Sequence, residues 1–349
     1  MYIEQIYTNC LAEASYYIES NGEVAIIDPI REPQPYLELA DKRNSKIKYI
    51  FETHFHADFV SGHLDLSKHT GADIIYGPTA QAEYPIIIAE DMQIFKLGDI
   101  QIKVLHTPGH TMESSCFLLV DENDRDNAVF TGDTLFVGDV GRPDLAVKSD
   151  LTKETLARYL YQSIQNKLMT LTDDVIVYPG HGAGSQCGKA LGKEKQSTIG
   201  EQKKYNYALN VSTENEFIEQ VITGLNEPPQ YFPKNAVINK TGYKSIEEVL
   251  NKSLKPLNAI EFNHYLEEKE ILVLDTRSPE HFSAQHIPNA LNIGLDGSFA
   301  IWVGTLIEDL NMPILLVAEE GRARESVIRL ARVGYENVIG YLEEGLELW

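Results

Sequence analysis

Basic residues are scarce in this chain. Lys and Arg number 30 against 52 Asp and Glu, which leaves a formal net charge of −22. A surface so acidic repels phosphate backbones and anionic headgroups, which argues against nucleic acid or a membrane as partner. Long hydrophobic runs are also missing: no apolar stretch approaches the roughly 18 residues that a membrane helix needs. The first residues, MYIEQIYTNCLAEASYYIES, lack the basic-then-apolar pattern of a secretion signal. Cysteine occurs only as Cys10, Cys116 and Cys187, widely spaced. That is no disulfide framework, and it fits a reducing, cytoplasmic setting. What is present, 349 residues with 43% hydrophobic content, suffices for two domains with real cores. A small-molecule enzyme fits this balance.

The first part reads as mixed strand and helix. SYYIES, Asn21-Gly22 and EVAIIDP form a hairpin signal. PYLELADKRN has helical period, IKYIFETH is a strand running into a His-rich loop, and a short helix is expected over 64–72. Strands are expected at 74–76, 94–105, 115–121 and 127–131. Leu151, Leu156, Leu160, Ile164 and Leu168 predict an amphipathic helix over 150–170, and helical patches follow near 197–224. NEPPQYFP is a Pro-rich stretch of the kind found at a domain edge. After it, ILVLDTR and ILLVAEE read as buried parallel strands with helical SVIRLARVGY behind them, which makes a small α/β unit. The expected division is 1–230, a linker over 231–256, and 257–349.

Four strand ends deliver metal-ligating residue types into loops. They are His54 and His56 with Asp58 in THFHADFVSGH, His110 in HTPGHT, Asp133 in FTGDTLF and His181 in YPGHGAG. A lone His is most often a surface or hydrogen-bonded core residue. Four such placements after strands are hard to explain without a metal, because ligands from separate strand ends can converge on one rim of a sheet.

These motifs together resemble the metal-binding signature of the metallo-β-lactamase superfamily over roughly residues 1–230. The resemblance implies an α/β fold, an αββα sandwich with the metal at one edge of its two sheets. One position departs. Dinuclear hydrolases of the superfamily carry His-x-His-x-Asp-His, and the last position here is Phe59. A phenyl ring cannot ligate, so the second metal position loses a donor. The sequence is similar to the persulfide dioxygenase branch. That resemblance implies one Fe(II) per chain held by His54, His110 and Asp133, with positions open for substrate and O2. His56, Asp58 and His181 are then outer or latent ligands. It implies oxidation of a low-molecular-weight thiol persulfide to sulfite and thiol, and a homo-oligomeric assembly.

The same branch carries a GRTD-like loop, here Gly141-Arg142-Pro143-Asp144. Arg142 and Asp144 are either a loop ion pair or residues that shape the site. Cys187, six residues after His181, is either a small buried apolar residue or a thiol near the substrate channel, with Lys189 able to assist its ionisation. Cys116 reads as a buried strand residue.

Residues 257–349 resemble a rhodanese-like domain through Leu274-Asp275-Thr276-Arg277, Glu280-His281-Phe282, Gln285 to Ile293 and the closing GYENVIGYLEEGLELW. A working rhodanese begins its anion-cradling loop with Cys, in Cys-x-x-Gly-x-Arg. Here Ala318 takes the Cys position and Gly321 the Gly, with Glu319 and Glu320 between them. This points to an inactive domain with a docking or assembly role, working with a sulfurtransferase partner. The order of the two domains resembles multidomain persulfide dioxygenase–sulfurtransferases, in which a catalytic rhodanese follows the inactive one. Two other readings remain open from the residues alone. One is a glyoxalase II-like dinuclear zinc thioester hydrolase. The other is a non-catalytic sulfur-relay scaffold.

Overall fold

In the computed structural model, Asn21 and Gly22 both take left-handed backbone, φ 48° and 79°, and turn the strand Glu13–Ser20 back onto Glu23–Ile27. The two-residue signal therefore sets the register Ser20↔Glu23. The structure describes residues 1–147, 150–267, 270–343, 345–347 and 349. The chain divides into two units. One comprises Met1–His56, Ser61–Pro228 and Asn239–Gly242; the other comprises Ala57–Val60, Pro229–Ile238 and Tyr243–Trp349.

The first unit holds two six-stranded sheets. One runs in chain order through Tyr2–Thr8, Glu13–Ser20, Glu23–Ile27, Lys46–Glu52, Asp73–Tyr76 and Ile87–Ile88. Its pairings are antiparallel up to Glu23–Ile27 and parallel beyond it. Parallel neighbours need crossovers, and the helices Gln34–Lys42 and His63–Thr70 supply the first two. The other sheet has the order Ser197–Thr198, Ile176–Pro179, Asp126–Gly132, Ser115–Val120, Ile100–His106, Ile94–Leu97. The single strand expected over 94–105 is a hairpin, because Gly98 adopts φ 56° and the chain reverses there.

Between the sheets lies one shared core. Tyr16, Ile18, Ile27 and Phe51 from the first sheet meet Ile102, Val104, Phe117 and Phe130 from the second. The rings of Phe51 and Phe117 are 4.8 Å apart. Each sheet also buries its outer face under helices. Tyr36, Ala40 and Leu66 cover the first sheet, and Leu160, Ile164, Leu168 and Phe217 cover the second. The result is an αββα sandwich. The predicted helix over 150–170 is α-helical only over Lys153–Ser163, capped by Thr152, and widens to a π-helical turn at Ile164–Leu168.

The second unit is a five-stranded parallel sheet in the order Pro256–Leu257, Val338–Leu342, Ile314–Val317, Leu272–Asp275, Leu291–Asn292. Leu257, Phe262, Val273, Leu315, Val317 and Leu342 form its core. The expected linker over 231–256 instead contains the helices Phe232–Thr241 and Ile246–Ser253. The second of these is capped by Ser245 and buries Ile246, Val249 and Leu250, an i, i+3, i+4 stripe. Pro-rich character ends before that stripe begins. Glu344 and Leu348 of the closing motif lie outside the described residues. Among the described residues no helix is long and apolar enough to cross a membrane.

Candidate metal centre

The four ligand-bearing loops come from both sheets of the sandwich. His54 follows the strand Lys46–Glu52 of the first sheet. His110, Asp133 and His181 follow Ile100–His106, Asp126–Gly132 and Ile176–Pro179 of the second. The last two strands are parallel neighbours with Gly132 opposite Pro179, so Asp133 and His181 emerge side by side. Gly132 is fixed there for two reasons. Its φ is +48°, and a Cβ would sit 2.4 Å from the Thr53 hydroxyl.

His54, His110 and Asp133 are all buried and bring their ligating atoms within 4.8 Å of one another. Hydrogen bonds orient the rings. The Thr53 hydroxyl donates to Asp28 at 2.8 Å, so its oxygen accepts from His54 Nδ1–H at 3.0 Å. His110 Nδ1–H donates to the Arg142 carbonyl at 2.9 Å, and His181 Nδ1–H to the Ala12 carbonyl at 3.2 Å. Each ring therefore keeps its Nε2 lone pair for the centre. Burial, then the neighbouring His56, His110 and His181, hold the His54 imidazole well below its ordinary pKa, in the neutral form a metal needs.

Asp133 provides the test of fit. Its Oδ2 lies 3.5 Å from His110 Nε2 and its Oδ1 3.5 Å from His181 Nε2. Both oxygens are buried and accept no hydrogen bond among the described residues. Two donors bound tetrahedrally at about 2.1 Å stand about 3.4 Å apart. A buried carboxylate facing imidazoles at that spacing, and bonded to none of them, fits a metal centre.

His56 turns elsewhere. Its Nε2 is 3.1 Å from Asp28 Oδ1 and 3.4 Å from Glu52 Oε2, all three buried. Burial alone would lower its pKa, but Asp28 and Glu52 outweigh it and raise it well above the ordinary value. Burial also raises the Asp28 carboxyl, whereas His63 and His56 overcome burial at Glu52 and lower it. His63 Nδ1 and the Ser61 hydroxyl both reach Glu52 Oε1, at 3.2 and 2.5 Å. The sequence reading missed this polar cluster. Asp28 and Glu52 end the parallel neighbours Glu23–Ile27 and Lys46–Glu52, and only that pairing brings them together. Asp58 and Phe59 are buried as well, in the segment Ala57–Val60 that belongs to the other unit.

Arg142 and Asp144, expected at the site, form a two-pronged ion pair at 3.0 and 2.8 Å. The guanidinium also donates to the carbonyls of Gln186 and Asn226. Arg142 thus braces three loops, and its backbone carbonyl, not its charge, reaches a ligand. Cys187 is buried, with Sγ within 4.8 Å of a ring nitrogen of His181. The Lys189 ammonium donates to the Gln220 carbonyl and lies over the Tyr207 ring.

In the second unit, Ala318, Glu319, Glu320 and Gly321 line a cavity of about 480 Å³ with Tyr341 and Glu343. Glu319 accepts from the Ser278 N–H at 3.3 Å and from His281 Nδ1 at 2.6 Å. Partial burial would raise its carboxyl, but these two hydrogen bonds prevail and lower it. The position of the sulfur carrier is thus an acidic pocket without a nucleophile.

The Metallo-beta-lactamase superfamily profile matches residues 8–181, and the Rhodanese-like domain profile matches 258–349. The chain belongs to the metallo-beta-lactamase superfamily, with a rhodanese-like domain following. It is 34% identical over 161 residues to "Probable hydroxyacylglutathione hydrolase glo2" of Schizosaccharomyces pombe, covering 45% of this chain and 58% of that protein. A second probable hydroxyacylglutathione hydrolase of the same yeast is 31% identical, covering 62% of this chain and 78% of that protein. The chain thus spans little more than half the length of the first of these relatives. Among solved structures, a metallo-beta-lactamase from Staphylococcus aureus subsp. aureus COL is 32% identical with a TM-score of 0.86, over 98% of both chains. ETHE1 from Myxococcus xanthus is 27% identical with a TM-score of 0.58, over 69% of this chain and 98% of its own.

These relatives correct one expectation. Curated hydroxyacylglutathione hydrolases match at 29–38% identity, which overturns the persulfide dioxygenase reading in favour of the hydrolytic alternative. The physical reason is that two imidazoles and a carboxylate serve either chemistry. The choice between them had turned on Phe59, supported by the loop Gly141 to Asp144 and the order of the domains, and the loss of one imidazole does not exclude hydrolysis.

Proposed function

We propose that this protein is a metal-dependent thioester hydrolase acting on a hydroxyacyl thioester of a glutathione-like thiol. The observation that carries the reading is the buried Asp133 carboxylate, flanked by Nε2 of His110 and His181 at 3.5 Å each, in a chain whose curated relatives are named as hydrolases of this class. His54, His110 and Asp133 would hold the metal. When bound, it supplies a Lewis acid that polarises the thioester carbonyl and lowers the pKa of water.

The protein's own contribution is preorganisation. Hydrogen bonds at Nδ1 fix three imidazoles in one tautomer, and burial keeps His54 neutral and excludes bulk water. Water adds across the C–S bond, the acyl group leaves as a carboxylic acid and the thiolate takes up a proton, so no oxidant is needed. The donor set suits zinc or iron(II), and the single iron expected from the sequence is one outcome of elemental analysis.

The test uses the metal-loaded full chain with a hydroxyacylglutathione thioester, following free thiol with a chromogenic reagent. Thiol release should depend on metal and vanish on chelation and in Asp133→Ala, which removes the carboxylate of this donor set. Release no faster than in the metal-stripped protein would overturn the reading.

A further inference from the structure

The last carbonyls of a helix have no partner within it. Where the helix Phe232–Thr241 ends, Asn239–Gly242 count with the first unit, and donors of that unit meet these carbonyls. The Tyr84 hydroxyl donates to the Asn239 carbonyl, and the Glu83 N–H to the Lys240 carbonyl at 2.8 Å. The Lys240 ammonium lies over the Phe55 ring. The helix end is thus fixed beside the loop that follows His54.

The Asn239 side chain is fully buried against that loop. Its Nδ2–H donates to the His56 carbonyl at 2.8 Å, and its Oδ1 accepts the Ser61 N–H at 3.0 Å. Ser61 is itself anchored to the strand ends. Its hydroxyl lies 2.9 Å from the Pro29 carbonyl and 2.5 Å from Glu52 Oε1, and the next N–H, of Gly62, donates to the Pro29 carbonyl at 2.9 Å. An amide offers a donor and an acceptor in one plane, which matches a peptide C=O and N–H pair.

We propose that Asn239 is a positioning residue of the metal centre. By tying the His56 carbonyl to the anchored Ser61, it holds the loop that begins at His54 in its ligating shape. The inference goes beyond the hydrolase reading, and it rests on metal binding by His54, His110 and Asp133, not on the identity of the thioester. Asn239 lies outside the residues 8–181 that match the superfamily profile, in the stretch expected to be a linker. Without its amide, a buried carbonyl loses a donor and a buried N–H an acceptor, and the loop must relax to satisfy them. His54 keeps its tautomer from Thr53, so the relaxation changes where its ring stands.

The test titrates metal-stripped full-length protein with cobalt(II), whose visible absorption reports the geometry of the ligand set. Asn239→Leu removes both bonds at nearly constant volume. Asn239→Ala does so with the least steric demand and serves where the Leu variant fails to fold. Both should bind cobalt roughly 10–100-fold more weakly, the range for lost ligand orientation, with an altered visible band. Tyr84→Phe is the structural control. It removes the bond to the Asn239 carbonyl and leaves the amide in place. It should lower the urea unfolding midpoint of the metal-free protein, with affinity and band as in wild type. Wild-type affinity and band in a folded Asn239 variant, or an equal loss of affinity in Tyr84→Phe, would overturn the proposal. Thioester hydrolysis is assayed separately. Weaker cobalt binding in the Asn239 variants, with no hydrolysis by wild type, would uphold the positioning role and remove the substrate assignment. Hydrolysis by wild type, with unchanged cobalt affinity in the Asn239 variants, would do the reverse.

Discussion

The carbonyl of Arg142 accepts the Nδ1–H of His110 at 2.9 Å. A loop peptide, not a charged side chain, thus sets the tautomer of a metal ligand. The preceding residue has no room for a side chain: a Cβ on Gly141 would lie 1.8 Å from the Asp133 carbonyl oxygen and 3.2 Å from His110 Nδ1. Gly141→Ala must therefore displace the Arg142 peptide or Asp133. Metal affinity should fall roughly 10–100-fold, the range for lost ligand orientation, as read by competition with a chromogenic chelator. Unchanged affinity would show that the peptide does not position His110.

Thr53 links the metal centre to the buried cluster behind it, with its hydroxyl between Asp28 and His54 Nδ1. Thr53→Val keeps the shape but takes one donor from a buried carboxylate. It should cost about 1–3 kcal/mol of stability and weaken metal binding, while Thr53→Ser should restore most of both. Urea unfolding of the metal-free protein and a metal titration separate the two effects. A Val variant that binds metal as wild type does would assign Thr53 to stability alone.

The αββα layering, the hairpin at Asn21-Gly22 and the convergence of His54, His110 and Asp133 were legible because each has a local signature: period, turn residue, or ligand after a strand. The cluster of Asp28, Glu52, His56 and His63 was not, because it depends on which strands pair. The helix Ile246–Ser253 was masked by the prolines before it. Function was misjudged at one residue. Phe59 reports the loss of one imidazole, and that loss alone does not decide between two chemistries that the same three ligands serve.

Cys116 lies in the strand Ser115–Val120, fully buried, with its thiol 3.3 Å from the Thr107 hydroxyl. Burial pushes its pKa up to about 11. The thiolate is the species that alkylates, so the native protein at about pH 8 should leave Cys116 unmodified by iodoacetamide and alkylate it only after unfolding. Peptide mass spectrometry reads this directly. Native labelling of Cys116 at the rate of a free thiol would mean that the strand opens.

The rhodanese-like unit offers a test of how thoroughly a sulfur site has been lost. Ala318 carries no nucleophile, so the full chain should form no thiocyanate from thiosulfate and cyanide through this unit. Restoring the sulfur alone should not restore the reaction. An anionic persulfide on Ala318→Cys would sit beside Glu319 and Glu320 in the same cavity, and like charges a few ångströms apart near a protein surface repel by about 1–4 kcal/mol. The two glutamates are not equivalent. Glu319 is drawn to His281 and the Ser278 N–H, so part of its charge is already compensated, and Glu320→Gln in the Ala318→Cys background should recover more activity than Glu319→Gln. Replacing both should give the fastest turnover of the set, followed as thiocyanate with ferric ion. Robust transfer by Ala318→Cys alone would show that the loop is electrostatically competent and lacks only its sulfur.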